Sequence, residues 1–209
     1  STSLSRKLTK LLRHSAKQRG LHIRPDGFVQ LSEVLSLPEF RGLGIEQVRQ
    51  IVAADNKQRY SLNEDHSDGV LIRANQGHSI QSLDEEAMFS KIVGQDQLPA
   101  CVVHGTYMSS WPSIKEQGLL RMKRTHVHMA KGLPRENGVI SGMRGSCEVV
   151  IHIDIRAAMA AGIEFYESAN GVILSSEVPP RFFISAVHRK TGTDLLASAA
   201  GSAATGQVG

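Results

Sequence analysis

The chain is poor in the features that mark exported, membrane-spanning or metal-held proteins. Its two cysteines, Cys101 and Cys147, lie in apolar segments without CxxC spacing. That excludes a disulfide framework or a structural zinc site as the working reading and points to a reducing, intracellular compartment, cytoplasmic or nuclear. No run of eighteen apolar residues occurs, and the first residues lack the apolar stretch of a secretory signal. Neither export nor membrane insertion is expected. A GxxxxGK[ST] phosphate loop, a GxGxxG opening a helix and an HExxH are all missing, which weakens the common nucleotide-binding and metalloprotease readings. Of the nine histidines, His126 and His128 would share one strand face, but no nearby Asp, Glu or Cys completes a ligand set, so no metal is expected. His104 stands beside the Ser/Thr cluster of "HGTYMSSWPSI" without a local acid to orient it, so a serine-hydrolase triad has no support.

What is present is a folded, basic protein. With 41% hydrophobic residues in 209, the chain can bury a real core in one ample domain or two small ones. The charge of +4 is unevenly placed. Residues 1–80 carry 12 Lys and Arg against 8 Asp and Glu, and residues 81–209 carry 12 against 12. The excess lies in the first part, which suits a polyanionic partner such as nucleic acid.

Leu4, Leu8, Leu11 and Leu12 recur at helical spacing behind Ser3, which predicts a first helix over 4–17. On that helix Arg13 falls opposite the apolar stripe and His14 at its edge. Pro25, Asp26 and Gly27 are turn residues between short extended pieces. "LSEVLSL" and "GIEQVRQIVAADNKQ" read as two further helices, and "RYSLNEDHSDGVLIRAN" as a hairpin whose return strand ends at Arg73. Three helices and a hairpin suggest a winged-helix-like lobe over residues 1–80. A connector follows over 81–98. From residue 99 short strands are predicted at "ACVVHG", "HVHMA", "EVVIHIDI", "GVILSS" and "FFISAVHR", with a helix at "SSWPSIKEQGL". The fold class is therefore α+β, with the second lobe over 99–190 and a disordered tail over 191–209. Trp111 reads as core of its helix rather than a base-stacking platform.

In "IRANQGHSI" an Arg that ends an apolar strand is followed by Asn75, Gln76, a Gly, His78 and Ser79. That density of donors makes a good phosphate environment. Together with "LSRKLTKLLRH", "DGFVQLSEVL", "HGTYMSSWPSIKEQGL", "HVHMA" and "ANGVILSSEVPPRFF", the segment resembles the KptA-type RNA 2′-phosphotransferase family over about residues 3–190. The resemblance implies an RNA-holding winged-helix-like lobe followed by an ADP-ribosyltransferase-like lobe that holds NAD as co-substrate. The family's Arg-His-Arg-Arg set falls on Arg13, His14, Arg73 and Arg144. Its NAD motifs fall on His104, Gly105 and Thr106, on His128 in preference to His126, and near Ile173. The last position is acidic in many protein-modifying relatives of that lobe, and here it is apolar.

The implied reaction moves the splice-junction 2′-phosphate of tRNA to NAD. The phosphate attacks the nicotinamide-bearing ribose carbon, nicotinamide leaves, and a ribose hydroxyl of the ADP-ribosylated RNA then attacks phosphorus. The products are 2′-OH RNA and cyclic ADP-ribose 1″,2″-phosphate. A phosphate monoester carries about −1.5 to −2 charge at neutral pH, so the first attack needs positioning rather than a base. Arg13 and Arg73 would orient the phosphate, Arg144 and Arg73 would stabilise charge, and His14 would act as acid. Asn75, Gln76, His78 and Ser79 would either extend the phosphate and ribose contacts of the RNA or stabilise their loop, and a monomer is expected. Two other functions share these motifs: an ADP-ribosyltransferase acting on terminal phosphates of nucleic acid, and an inactive RNA-binding module.

Overall fold

The first helix shows how the apolar pattern becomes structure. Leu8, Leu11, Leu12 and Ala16 are buried while Arg6, Lys7 and Lys10 stay in water, so burial of one stripe holds the segment. The computed structural model describes residues 2–134, 136 and 139–197. In chain order these form α1 (Thr2–Lys10), β1 (Val29–Gln30), α2 (Leu31–Ser36), α3 (Ile45–Ala53), β2 (Tyr60–Asn63), β3 (Leu71–Ala74), α4 (Glu85–Met88), β4 (Ser90–Lys91), β5 (Val103–Thr106), α5 (Trp111–Gln117) and β6 (Leu119–Leu120). They continue as β7 (Val127–Met129), β8 (Val149–Ile153), α6 (Ile155–Ala160), β9 (Tyr166–Glu167), β10 (Ile173–Ser175), β11 (Glu177–Val178) and β12 (Phe183–His188). The fold is mixed α and β with small antiparallel sheets, and no described helix is long and apolar enough to cross a membrane.

The residues divide into two compact units. The first comprises 1–91 with 122–125 and 166–170, and the second comprises 92–121, 126–165 and 171 onward. In the first, β1, β3 and β2 form an antiparallel sheet in that order, with Val29 and Leu62 both opposite Ile72. Helices α1, α2 and α3 pack their Leu8, Val34 and Val48 with Val29, Tyr60 and Ile72 of the sheet into one core. The expected hairpin is β2 and β3, and β1 adds a third strand.

The continuous α-helix predicted over 4–17 is corrected. The α geometry ends at Lys10, and Leu11–Ser15 form a wider π turn. Adjacent Leu11 and Leu12 are both buried there, and the wider turn lets two neighbouring side chains reach the core. Such turns recur at functional sites, and this one carries Arg13 and His14.

The span expected as a connector, 81–98, contains α4, β4 and a short 3₁₀ turn at Gln95–Gln97. The Asp84 side chain caps α4 by accepting from Glu86 N at 3.0 Å, and β4 pairs with β9. In the second unit, β12, β8 and β5 form an antiparallel sheet. Val149, Ile151 and Ile153 of β8 enter the main core with Trp111, Phe165 and Ile173, whereas Val150 packs on the other face with Val103, Met143 and Cys147. Both faces of β8 are thus covered, as the two-residue period of a strand allows. Trp111 is core, as its helix context predicts.

The strand predicted at "EVVIHIDI" stops at Ile153 because Asp154 begins a helix the sequence reading missed. Its side chain accepts from Ala157 N at 2.9 Å, capping α6. Of the tail expected over 191–209, residues 198–209 lie outside the described residues. The portion before them is held: Leu195 N donates to Ala186 O at 2.8 Å, and Leu195 and Leu196 pack against the second core.

Leu12 is fully buried at the centre of the first core. Leu12→Ala should destabilise the protein by about 2–5 kcal/mol, read as a lowered denaturant midpoint, whereas Leu4→Ala at a partly buried position should cost less.

Candidate active site

The residues singled out on the first unit fall at two stations. At the first, the end of the π turn meets the segment leaving β3. Ser79 N donates to Arg13 O at 2.9 Å, and the Ser79 hydroxyl and His14 Nδ1 are hydrogen-bonded at 3.0 Å. Gly77 adopts φ +85°, and a Cβ there would stand 3.1 Å from Arg13 Nε and 3.2 Å from its Cζ. The glycine therefore supplies both the left-handed backbone and the space against which the guanidinium lies. Asn75 and Gln76 are buried. The Asn75 side chain accepts from Ser61 Oγ at 2.6 Å and donates to Gln58 O at 2.7 Å, and so braces the loop. His78, also buried, accepts at its backbone oxygen from Thr125 N at 3.0 Å.

Burial, Arg124 and Arg59 together lower the Arg13 pKa to about 10, with Asp55 and Tyr60 acting only weakly in the opposite sense. His14 is pushed below 6.5 by loss of solvent and by Arg13, Arg124 and Lys10. Five basic side chains, Arg13, His14, Arg59, Arg124 and Lys10, thus act on one turn. Arg124 was missed by sequence reasoning although it stands two residues before His126 in "RTHVH". Its separation from Arg13 by more than a hundred positions left no periodicity to reveal it.

Arg73 occupies the second station. Its Nη1 donates to Asp26 O at 3.0 Å and its guanidinium lies 4.6 Å from the centroid of the Phe28 ring. The turn at 25–27 makes this possible. Gly27, at φ +81°, donates its N–H to Arg24 O at 2.9 Å, which presents the Asp26 carbonyl and Phe28 to the arginine. Arg73 also lines a cavity of about 480 Å³ with Glu86, Phe89, Glu167 and Ser168. The Nε atoms of Arg13 and Arg73 and the Oε1 of Gln76 are buried without a hydrogen-bond partner. Leaving such groups unpaired costs about 1–3 kcal/mol each, so each of the three atoms has a partner to gain from a ligand.

In the second unit, β5 carries His104, Gly105 and Thr106 opposite Ile151, Val150 and Val149. His104 Nδ1 donates to His128 O at 2.8 Å, since a carbonyl only accepts. Burial lowers the His104 pKa below 6.5, so the ring is neutral near pH 7 and its Nε2 is an acceptor. A Cβ on Gly105 would come within 2.3 Å of Met143 Cγ and 2.9 Å of Cys147 Sγ, so only glycine fits that strand position. Of the two histidines in β7 and its approach, His128 contributes through its backbone oxygen and lies opposite Leu174. His126 is buried. Ile173 is fully buried in β10 opposite Met129, so it serves the core and presents no polar group. Arg144 is exposed; the Ser146 hydroxyl, at 2.9 Å, and then the Arg144 guanidinium hold the Tyr107 hydroxyl below its usual pKa. Tyr107 directly follows Thr106, and nothing in the sequence reading had marked it. Among the described residues no group of three or more His, Cys, Asp or Glu could hold a metal.

A cluster of guanidinium and imidazole groups in one unit, and a neutral acceptor histidine on a strand of the other, suit an enzyme acting on a phosphorylated substrate. Residues 1–177 match the RNA 2′-phosphotransferase, Tpt1/KptA family, and the chain belongs to that family of transferases. It is 48% identical over 174 residues to tRNA 2′-phosphotransferase 1 of Danio rerio, covering 82% of this chain and 76% of that protein. It is 49% identical over 173 residues to tRNA 2′-phosphotransferase 1 of Homo sapiens, covering 82% and 68%. With the probable RNA 2′-phosphotransferase of Trichormus variabilis it shares 36% identity over 182 residues, covering 86% and 93%.

Two outcomes follow from this geometry. Gly77→Ala should strain a left-handed residue and displace the Arg13 guanidinium, lowering affinity for inorganic phosphate at least about tenfold with about 1 kcal/mol lost in stability; calorimetry and denaturation measure the two separately. His14 binds its proton less readily in the native state than in the unfolded chain. Stability should therefore be full above pH 6.5 and fall as pH drops through 6.5 towards the native value. His14→Gln should flatten that slope. An NMR titration should find the ring below 6.5 in the free protein and shifted upward by inorganic phosphate.

Proposed function

We propose that this chain transfers the splice-junction 2′-phosphate of tRNA to NAD, releasing 2′-OH RNA, nicotinamide and cyclic ADP-ribose 1″,2″-phosphate. The observation that carries the reading is the half-buried Arg13, lowered to about 10 by loss of solvent first and then by Arg124 and Arg59, beside His14. Cations crowded in this way are relieved by a dianion. A 2′-phosphate monoester supplies about two negative charges, and forked guanidinium donors hold its oxygens in a fixed orientation. The names of the relatives, tRNA and RNA 2′-phosphotransferases, supply the substrate.

The finer architecture belongs to the same proposal. Three helices followed by the β1, β3, β2 sheet suit a winged-helix-like lobe that holds RNA. The antiparallel strands carrying His104 and His128 suit an ADP-ribosyltransferase-like lobe.

The residues of β5 fit NAD as co-substrate. His104 Nε2, left as an acceptor by the Nδ1 bond to His128 O, can take a ribose hydroxyl, and Thr106 adds a hydroxyl beside it. NAD supplies the electrophilic ribose carbon and the hydroxyl that the two-step transfer requires. Arg13 and Arg73 bind and orient the phosphate. Arg144, positioned by Tyr107, stabilises charge on the phosphoryl oxygens. His14, oriented by Ser79, gives a proton to the departing 2′ oxygen. The cations around His14 lower its proton affinity in the free protein, and a bound dianion reverses that, so the acid is loaded as substrate arrives. Gln76 and His78 line the loop that carries Ser79, and Asn75 braces it.

The test is to incubate the protein with NAD and an RNA carrying one internal 2′-phosphate and to weigh the products by mass spectrometry. Phosphate-free RNA with cyclic ADP-ribose phosphate is expected. His14→Ala should slow the second step by about 10²-fold or more while leaving nicotinamide release less affected. ADP-ribosylated RNA as the wild-type end product, or no NAD-dependent change, would overturn the proposal in favour of a terminal-phosphate modifier or a binding module.

A further inference from the structure

The 2′-phosphate of an internal nucleotide is never alone. The adjacent ribose carbon bears a backbone phosphodiester, so a site that grips one anion must accommodate a second close beside it. Two cavities open on candidate residues of the first unit, and their charge differs. The one at Arg73 includes Glu86 and Glu167. The other, an open groove of about 600 Å³, is lined by His14, Lys17, Gln18, Ser79, Ile80, Gln81 and Ser82, with no carboxylate. The first sets two carboxylates beside its one arginine, whereas the second offers a further backbone phosphate a cation with no carboxylate opposing it.

The groove is equipped for that role. Lys17 lies three residues beyond His14. Arg19 N donates to Ser15 O at 2.9 Å, so the helical path continues through Lys17, and residues at this spacing have Cβ atoms about 5–6 Å apart. Lys17 is exposed and makes no ion pair among the described residues. Gln18 and Ser82 are likewise exposed, and their side chains carry no hydrogen bond among the described residues. Ile80 is buried at 8% exposure and gives the groove an apolar floor against which a ribose can rest. The Ser79 hydroxyl, bonded to His14, marks the end nearest the acid.

We propose that this groove, with Lys17 as its cation, binds the backbone phosphodiester next to the 2′-phosphate and so selects internal over isolated 2′-phosphates. The inference rests on the function proposed above, which supplies the RNA. Lys17 is a compact point charge on a flexible stem, suited to a diester that presents only two free oxygens, whereas the forked arginines suit the monoester.

The test is a binding cycle without NAD. Two short RNAs carry the same internal 2′-phosphate, and the linkage beside it is either a phosphodiester or an uncharged methylphosphonate. Lys17→Ala should weaken the phosphodiester RNA by about tenfold and the methylphosphonate RNA by less than about twofold, and Lys17→Arg should restore most of the loss. Equal weakening of both RNAs, or of neither, overturns the proposal. NAD-dependent loss of the 2′-phosphate from the phosphodiester RNA by the unaltered protein is scored separately. Absent turnover with a non-additive cycle would sink the proposed function and keep the groove; turnover with an additive cycle would do the reverse.

Discussion

The backbone bond from Ser79 N–H to the Arg13 carbonyl oxygen ties the end of the first helix to the segment leaving β3. Residues sixty-six positions apart become neighbours through it. Arg13 is thereby set against Gly77, His14 against the Ser79 hydroxyl, and both against a loop fixed by Thr125 at His78 O. Without this bond the basic residues would be ordinary solvated side chains on a helix. With it they form a concentrated positive site whose mutual repulsion is borne by the first unit's core of leucine, valine and isoleucine.

That repulsion is a form of preorganisation. Arg13 has lost part of its solvent and is crowded by Arg124 and Arg59 before any ligand arrives, and a dianion placed there would meet charges already held in position in a reduced dielectric. Arg73 is handled differently. Its guanidinium is laid on the Phe28 ring and tethered to a carbonyl, which fixes direction more than charge. The second unit fixes a protonation pattern as well: the His128 carbonyl decides which nitrogen of His104 bears hydrogen.

Much of the element order was legible in the sequence because it follows from period. Leucines at helical spacing predicted α1, and the β2 and β3 hairpin and the strands β5, β7, β8, β10 and β12 stood out as short apolar runs between turn residues. What escaped was whatever depends on contacts far away in the chain. The π turn has the same leucines as an α-helix and differs only in how Leu11 and Leu12 meet the core. Asp154 looks like one polar residue in a strand until its carboxylate is seen capping α6. The roles of Arg124 and Tyr107 depend on neighbours no local pattern contains, Arg13 in one instance and Arg144 with Ser146 in the other. The chemistry of Asn75 suits a ligand contact or a loop brace alike, and only its bonds to Ser61 and Gln58 show the bracing.

The π turn at Leu11–Ser15 also makes the site asymmetric towards changes in chain length. A wide turn holds one residue more than an α turn of the same rise, so it is a reservoir of slack. Loss of one residue there can be absorbed by relaxing to α geometry, at the expense of rotating Arg13 and His14 by about 100° away from Ser79. Gain of a residue has no such outlet and must bulge into the core at Leu12 or Ala16. The segment can therefore shorten and stay folded without its chemistry, but it cannot lengthen and keep either.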